Sequence, residues 1–396
     1  MKFDDNELYS ISSSVKGVQF SLHDLAKWKN GLAFKKINFS DSGVPVIKIA
    51  ELNNGIGATT AYTKENFSED VHLKRGDLLF SWSGNPQTSI DTFRFDLDEG
   101  WLNQHIFKLT PNEKLVDFDY FYFLMKNLKP YFTKIATNKQ TTGLGHVTLA
   151  DIKRMNVVVP DIEMQNKIVS VIKPIDDKIK LNNEINKNLE QQAQTIYQQM
   201  FVDNASSDWA EGTLSDIADI TMGQSPSGSS YNEDGNGTIF FQGRAEFGFR
   251  FPTVRLYTTE PKRIACANDT LMSVRAPVGD LNVAHTDCCI GRGLAAIHSK
   301  NNHQSFVLYT MLSLKKQLDV FNGEGTVFGS INRNSLNEMP LLIPSSKKLD
   351  EFEVLVAPID AAIRNNYDEI CRLEQLRDTL LPKLMSGELD VSDIDL

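Results

Sequence analysis

Pro160-Asp161 followed by Asp176-Asp177-Lys178 has the order of the PD…D/ExK pattern, in which carboxylates and a lysine gather around a divalent ion to cut a phosphodiester. Its surroundings argue against that chemistry. The second carboxylate and the lysine fall in a helical stretch instead of on a strand. A second copy of the stretch, 184 residues further on, reads Pro344-Ser345 and Asp360-Ala361-Ala362, without the first Asp and without the Lys. His285, Cys288 and Cys289 have metal-binding types but no fourth ligand at a useful spacing, so no metal site is assigned. There is no GxxxxGK[ST] for nucleotide phosphates, no GxGxxG after a strand and no Asn-Pro-Pro-aromatic tetrapeptide of the adenine methyltransferase kind. Ser and His residues lack any elbow or triad context. The sequence assigns no catalytic residue.

What remains is binding chemistry. Residues 27–36, KWKNGLAFKK, interleave four lysines (among them Lys29, Lys35 and Lys36) with Trp28 and Phe34, a surface suited to phosphates. Arg244, Arg250, Arg255, Arg275 and Arg292 are of the type that grips a guanine edge through two hydrogen bonds. A net charge of -10 argues superficially against a polyanionic partner, but the excess is local. The last 52 residues carry six basic and twelve acidic groups, whereas the first 160 carry 19 and 18. The four cysteines show no CxxC spacing, which fits free thiols in a reducing cytoplasm. No run approaches the roughly 18 apolar residues of a membrane helix, and the N-terminus lacks the apolar core of a signal peptide. A cytoplasmic chain without membrane contact is expected.

Two helices must carry these residues. Ile168, Ile172, Ile175, Ile179, Leu189, Ala193, Ile196 and Met200 recur at alternating steps of four and three, with Asn182 and Asn186 in the remaining positions. That is the seam of a coiled coil, with polar residues to fix register. At an offset of 184, Phe352, Val356, Ile359, Ile363, Asn366, Ile370, Leu373, Leu380 and Leu384 form a second seam, Arg377 standing where the first has Ala193. Pro174 and Pro358 predict a short first helix, a kink and a straight run in each copy. The two seams are expected to pair as an antiparallel coiled coil.

The repeat extends beyond the helices. Leu22, Asp24, Leu25, Ala26 and Gly31 meet Leu214, Asp216, Ile217, Ala218 and Gly223 at an offset of 192, as GDLLFSWSG (76–84) meets NDTLMSVRA (268–276). Gln104-His105-Ile106 meets Arg292-Gly293-Leu294 at 188, and MNVVVP (155–160) meets MPLLIP (339–344) at 184. VPVIKIAEL, TIFFQGRAEF, DLLFSWS and TLMSVRA read as strands, 117–136 and 304–321 as helices, and 225–237 as a long loop. The fold class is α+β. Globular domains are expected over 1–160 and 206–344, long-helix regions over 161–205 and 345–389, and a solvated acidic tail over 390–396.

This layout, with VVVP…EMQNKIVSVIKPIDDKI, LLIP…KKLDEFEVLVAPIDAAI and above all LEQLRDTLLPKLMSGEL (373–389), resembles the specificity subunits of type I restriction–modification systems along essentially the whole chain. GLAFKK (31–36) and GQSPSGSSYN (223–232) resemble the entrance loops of that family's target-recognition domains. The resemblance implies two tandem α/β target-recognition domains, each reading one half of a bipartite, asymmetric site in double-stranded DNA. The helices would set the spacer and dock two methyltransferase subunits. It implies no cofactor in this chain: S-adenosylmethionine, ATP and Mg are expected in the methyltransferase and restriction/translocase subunits. Positions that are loop-like in both copies yet differ in chemistry become candidates for base reading: Ser83 faces Arg275, Gln104 faces Arg292, and Lys48 lies near Gln242 and Arg244. Gln140, Thr141 and Thr142 precede Gly145, and Gln224 and Ser227 lie in the second entrance loop. Two rival readings remain at this point. One is a standalone DNA-modifying enzyme, for which the duplication leaves almost no residues; the other is a coiled-coil scaffold whose domains bind protein or glycan.

Overall fold

A computed structural model describes residues 8, 9, 11, 13–140, 143–323 and 329–394. It divides into two compact units, Met1–Leu181 with Glu369–Leu396, and Asn182–Asp368. The stretches 161–205 and 345–389, read from sequence as helix regions of their own, are thus each shared between the units.

Both units are built on the same plan. In the first, strand Val18–Ser21 pairs with Asn156–Val159, and Ala26–Asn30, Ile106–Pro111, Leu78–Ser81 and Asp91–Arg94 lie in that order in an antiparallel sheet. A second sheet runs Tyr62–Thr63, Val44–Ile47, Glu99–Leu102, His72–Lys74, with Val44–Ile47 parallel to Glu99–Leu102. In the second unit Ala210–Thr213 pairs with Pro340–Ile343, and Ala218–Met222, Leu294–Ser299, Thr270–Ser273 and Leu281–Val283 form the corresponding sheet. Thr238–Phe241 runs parallel to Cys288–Ile290 in its other sheet. The repeat-related glycines explain one shared feature. A Cβ on Gly31 would sit 2.1 Å from the Asn103 carbonyl oxygen, and one on Gly223 would sit 2.1 Å from that of Gly291. Only glycine lets the two backbones pass that closely at these matching points.

The helical expectations hold with adjusted bounds. Stretch 117–136 becomes Phe118–Asn127 and Lys129–Asn138, the first capped by Asp117, whose carboxylate accepts from the amides of Asp119 and Tyr120. Stretch 304–321 becomes Gln304–Ser313 and Lys315–Leu318. Two apolar stretches are strand only at their start: VPVIKIAEL turns helical at Ile49–Asn54, and TIFFQGRAEF turns into a 3-10 helix at Arg244–Glu246. The loop 225–237 contains a short strand, Tyr231–Asn232, paired with Tyr257–Thr258.

The long helices span Ile162–Tyr197 and Ser346–Ser386. Neither is divided at its proline. Pro174 lies inside the first, flanked by Ile172 and Ile179, which are buried in the first unit, so packing outweighs the lost backbone hydrogen bond. Within the second unit Asn366 donates to Asn186 at 2.8 Å, and Tyr197 meets Phe352 with ring centroids 5.9 Å apart. Advancing along the first helix therefore retreats along the second: the pairing is antiparallel. Within the first unit Arg377 Nη1 lies 3.3 Å from Asp176, and Lys178 Nζ 3.5 Å from Glu369, the same sense. The seam residues Ile172, Ile179, Asn182, Val356 and Ile363 are buried, while Ile175, Leu189, Ile196, Ile359, Asn366, Leu373 and Leu380 are half-buried. Arg377, which stands where the first seam has Ala193, is paired with Asp176 and Asp378.

The acidic tail is a correction. Val391 is only 5% exposed and packs in the core of the first unit, and Lys167 donates to the Ser392 carbonyl at 2.7 Å. The helix ends at Gly387, which takes a left-handed φ of 74°, and this turn brings the tail back onto the unit. An apolar residue within the acidic sequence, with a lysine partner nearby, is what the charge count concealed.

Candidate nucleic-acid interface

In the second unit four separate segments close a hollow of about 270 Å³. Gln242 and Arg244 follow strand Thr238–Phe241, Arg275 follows Thr270–Ser273, Arg292 follows Cys288–Ile290, and Ser225 comes from the first loop. The strand ladders set this meeting. Phe241 lies opposite Ile290 in parallel register, and Ser273 lies opposite Leu294, so the ends of three strands come together. The Arg292 amide donates to Ser225 Oγ at 3.2 Å, and the Gly293 amide to the Gln242 carbonyl at 3.3 Å. Arg275 forms a backbone bridge with Ser330. Gln242, Arg244, Arg275 and Arg292 are all exposed. Arg244 pairs with Asp280, which also holds Lys315 at 3.1 Å. Neither Arg275 nor Arg292 has a carboxylate partner among the described residues.

The other two arginines of the sequence reading belong elsewhere. Arg250 is 5% exposed; it donates to the Tyr309 hydroxyl at 2.8 Å and to Asp360 at 2.9 Å. Arg255 is held by Glu246 at 2.8 Å, with Glu233 at 3.6 Å. Their partners fix them as structural ion pairs. Gln224, whose amide is tied to the Ile290 carbonyl, adjoins the hollow, whereas Ser227 Oγ engages Ser229 and does not line it.

The equivalent place in the first unit has different chemistry. Lys48 follows strand Val44–Ile47, whose parallel register with Trp101 and Leu102 brings it beside Asn103 and Gln104; its ammonium lies 5.3 Å from the Phe39 ring centre. Ser83 is buried, paired in register with His146, and its Oγ lies 2.9 Å from His146 Nδ1. Gln104 Nε2 lies 3.3 Å from His105 Nε2. Trp82 gathers the group, its ring 5.4 Å from His105 and 6.0 Å from His146, with its indole N–H donating to Asn30 at 3.1 Å. Trp82, His105 and His146 were not among the residues nominated from sequence. The repeat held a signal for one of them, since His105 aligns with Gly293, which lines the second hollow. Burial, then the neighbouring His146, holds His105 below the usual histidine range.

Lys29, Lys35, Lys36 and Gln140 are not drawn into this cluster. Lys29 pairs with Asp70 at 3.1 Å, Lys35 and Lys36 stand exposed after strand Ala26–Asn30, and Gln140 is exposed just past helix Lys129–Asn138. Thr141 and Thr142 lie outside the described residues.

The nuclease-like pattern dissolves in three dimensions. Asp161 accepts from the Met164 amide at the start of the helix that carries Asp176, fifteen residues along. At about 1.5 Å per residue the two carboxylates stand roughly 22 Å apart, too far to share an ion. His285 is engaged by Asp368 at 2.7 Å, and among the described residues no three His, Cys, Asp or Glu side chains converge as metal ligands. No described helix is long and apolar enough to cross a membrane.

Comparison with known proteins places this architecture. The type I restriction modification DNA specificity domain matches twice, over residues 15–191 and 206–364, and the chain belongs to that family. It is 28% identical over 392 residues to the putative type I restriction enzyme MjaX specificity subunit of Methanocaldococcus jannaschii, covering 92% of this chain and 91% of that one. To the type I restriction enzyme HindI specificity subunit of Haemophilus influenzae it is 24% identical over 404 residues, covering 80% and 87%. In fold it is similar to the crystal structure of the type I restriction–modification S subunit from M. genitalium, with a TM-score of 0.54 and 15% identity over 97% of this chain and 98% of that one.

Proposed function

We propose that this chain is the DNA-reading subunit of a type I restriction–modification complex, each unit taking one half of a bipartite duplex site. The observation that carries this is the hollow of the second unit, where Gln242, Arg244, Arg275 and Arg292 stand together on strand ends. Lys48, Ser83 and Gln104 stand at the matching strand ends of the first unit. Base-edge readers on rigid strand ends, with lysines on outlying loops for the backbone, divide the work as DNA readers do. The paired helices set the spacer and dock two methyltransferase subunits, which bring S-adenosylmethionine. Restriction/translocase subunits bring ATP and Mg, and the complex works in the cytoplasm. The chain itself is non-catalytic. The test is methylation mapping on genomic DNA exposed to the chain co-expressed with its methyltransferase subunit. A bipartite methylated motif is expected. Methylation without any sequence preference, or none that depends on this chain, overturns the reading.

A further inference from the structure

The hollow of the second unit and the matching place in the first hold different ligand chemistry. In the second unit, Arg275 and Arg292 carry full charges into one concavity, and no described carboxylate answers them. Asp280, the carboxylate nearest in role, is already shared by Arg244 and Lys315. Each of the two arginines directly follows or closely trails a strand: Arg292 is two residues past Ile290 and its own amide is tied to Ser225, and Arg275 is two residues past Ser273 and is bridged to Ser330. The backbone beneath each guanidinium is therefore fixed, while the fork itself is free. A planar fork on a fixed base matches two acceptors on one planar edge, and among base pairs only guanine offers two acceptors, O6 and N7, in the major groove. The same fork also fits a phosphate, and the variants below separate the two contacts.

We propose that the half-site read by the second unit contains guanine, gripped at its major-groove edge by Arg275 and Arg292. The first unit, with Gln104, His105, His146 and Ser83 in the corresponding place, reads its half without an arginine. The proposal rests on the DNA-reading function above.

The experiment uses the full chain assembled with its methyltransferase subunit, and duplex DNA selected from a randomised library. The wild-type selection yields the bipartite motif; the same selection is run with Arg292→Lys and Arg275→Lys. Lysine keeps the charge and loses the fork. The expected result is a guanine whose preference falls by roughly 5- to 150-fold in one variant or the other, while the other half-site keeps its sequence. A second measurement needs no variant: 7-deazaguanine at that position, lacking N7, weakens the wild-type complex, whereas inosine, which keeps the major-groove edge, does not. A half-site without guanine on either strand, or lysine variants that bind every sequence more weakly with an unchanged motif, overturns the guanine assignment and leaves DNA reading standing. Selection of no motif by the wild type overturns both.

Discussion

Arg250→Met tests how the second unit is fastened to its helices. Arg250 is almost wholly buried, its guanidinium bonded to Tyr309 at 2.8 Å and to Asp360 at 2.9 Å, with Glu190 at 3.9 Å. Methionine fills much of the stem's volume but leaves two carboxylates without their cation. Removing one partner of a buried pair costs about 3–5 kcal/mol. Asp360 and Glu190 keep about a quarter of their side-chain surface in water, which favours the lower end. About 3 kcal/mol corresponds to roughly a 100-fold rise in the open population. Hydrogen exchange read by mass spectrometry on peptides of 304–313 and 353–364 measures that rise directly. Arg250→Met/Asp360→Leu should recover most of it, because replacing both partners by apolar groups is often close to neutral.

The loss should also depend on pH. Burial holds the Glu190 carboxyl above its ordinary value despite the attraction of Arg250, with Asp360 adding to the rise. A carboxyl raised by folding favours the folded state below its unfolded value and penalises it as pH climbs through the raised one. Without Arg250 that penalty grows at neutral pH and vanishes once Glu190 is protonated. The Arg250→Met deficit is therefore largest near pH 7 and shrinks as pH falls through the raised Glu190 range, before the ordinary glutamate value is reached. Exchange within threefold of wild type at pH 7, or a deficit indifferent to pH, would refute this account of the network.

Other outcomes follow from the same geometry. Lys35→Ala/Lys36→Ala should weaken all DNA sequences alike and lower the slope of log affinity against log salt by about 1–2, measured by titration at several salt concentrations. Adding four residues to both long helices where the units divide, after Leu181 and after Asp368, lengthens each by about 6 Å. Methylation mapping should then show unchanged half-sites and a spacer longer by one or two pairs, at roughly 3.4 Å per pair. His105 is held below the usual range, so protonation favours the unfolded first unit; its stability is complete above the ordinary histidine value and falls as pH drops. His105→Asn should flatten that acid-side loss in melting curves between pH 7.5 and 5.5.

How far the sequence could be read depends on whether a feature is periodic or assembled. The seams were legible because burial on a long helix leaves an apolar period, and Asn182 and Asn366 marked the repeat within it. The duplicated sheets were legible where backbone contact forces a residue type, as at Gly31 and Gly223. The hollow was only partly legible. Its lining comes from four segments between Ser225 and Gly293, and no local pattern says that they meet. Arg250 stands between two phenylalanines and Arg292 between two glycines, but neither setting names a partner. What separates them is Asp360, 110 residues from Arg250, which buries one guanidinium and leaves the other to the solvent. For the same reason Val391 escaped notice in an acidic tail, as did Trp82 between two strands, His105 in a turn and His146 at the end of a short strand. Charge and residue type name what a side chain can bind; only the fold decides whether the protein itself has already bound it.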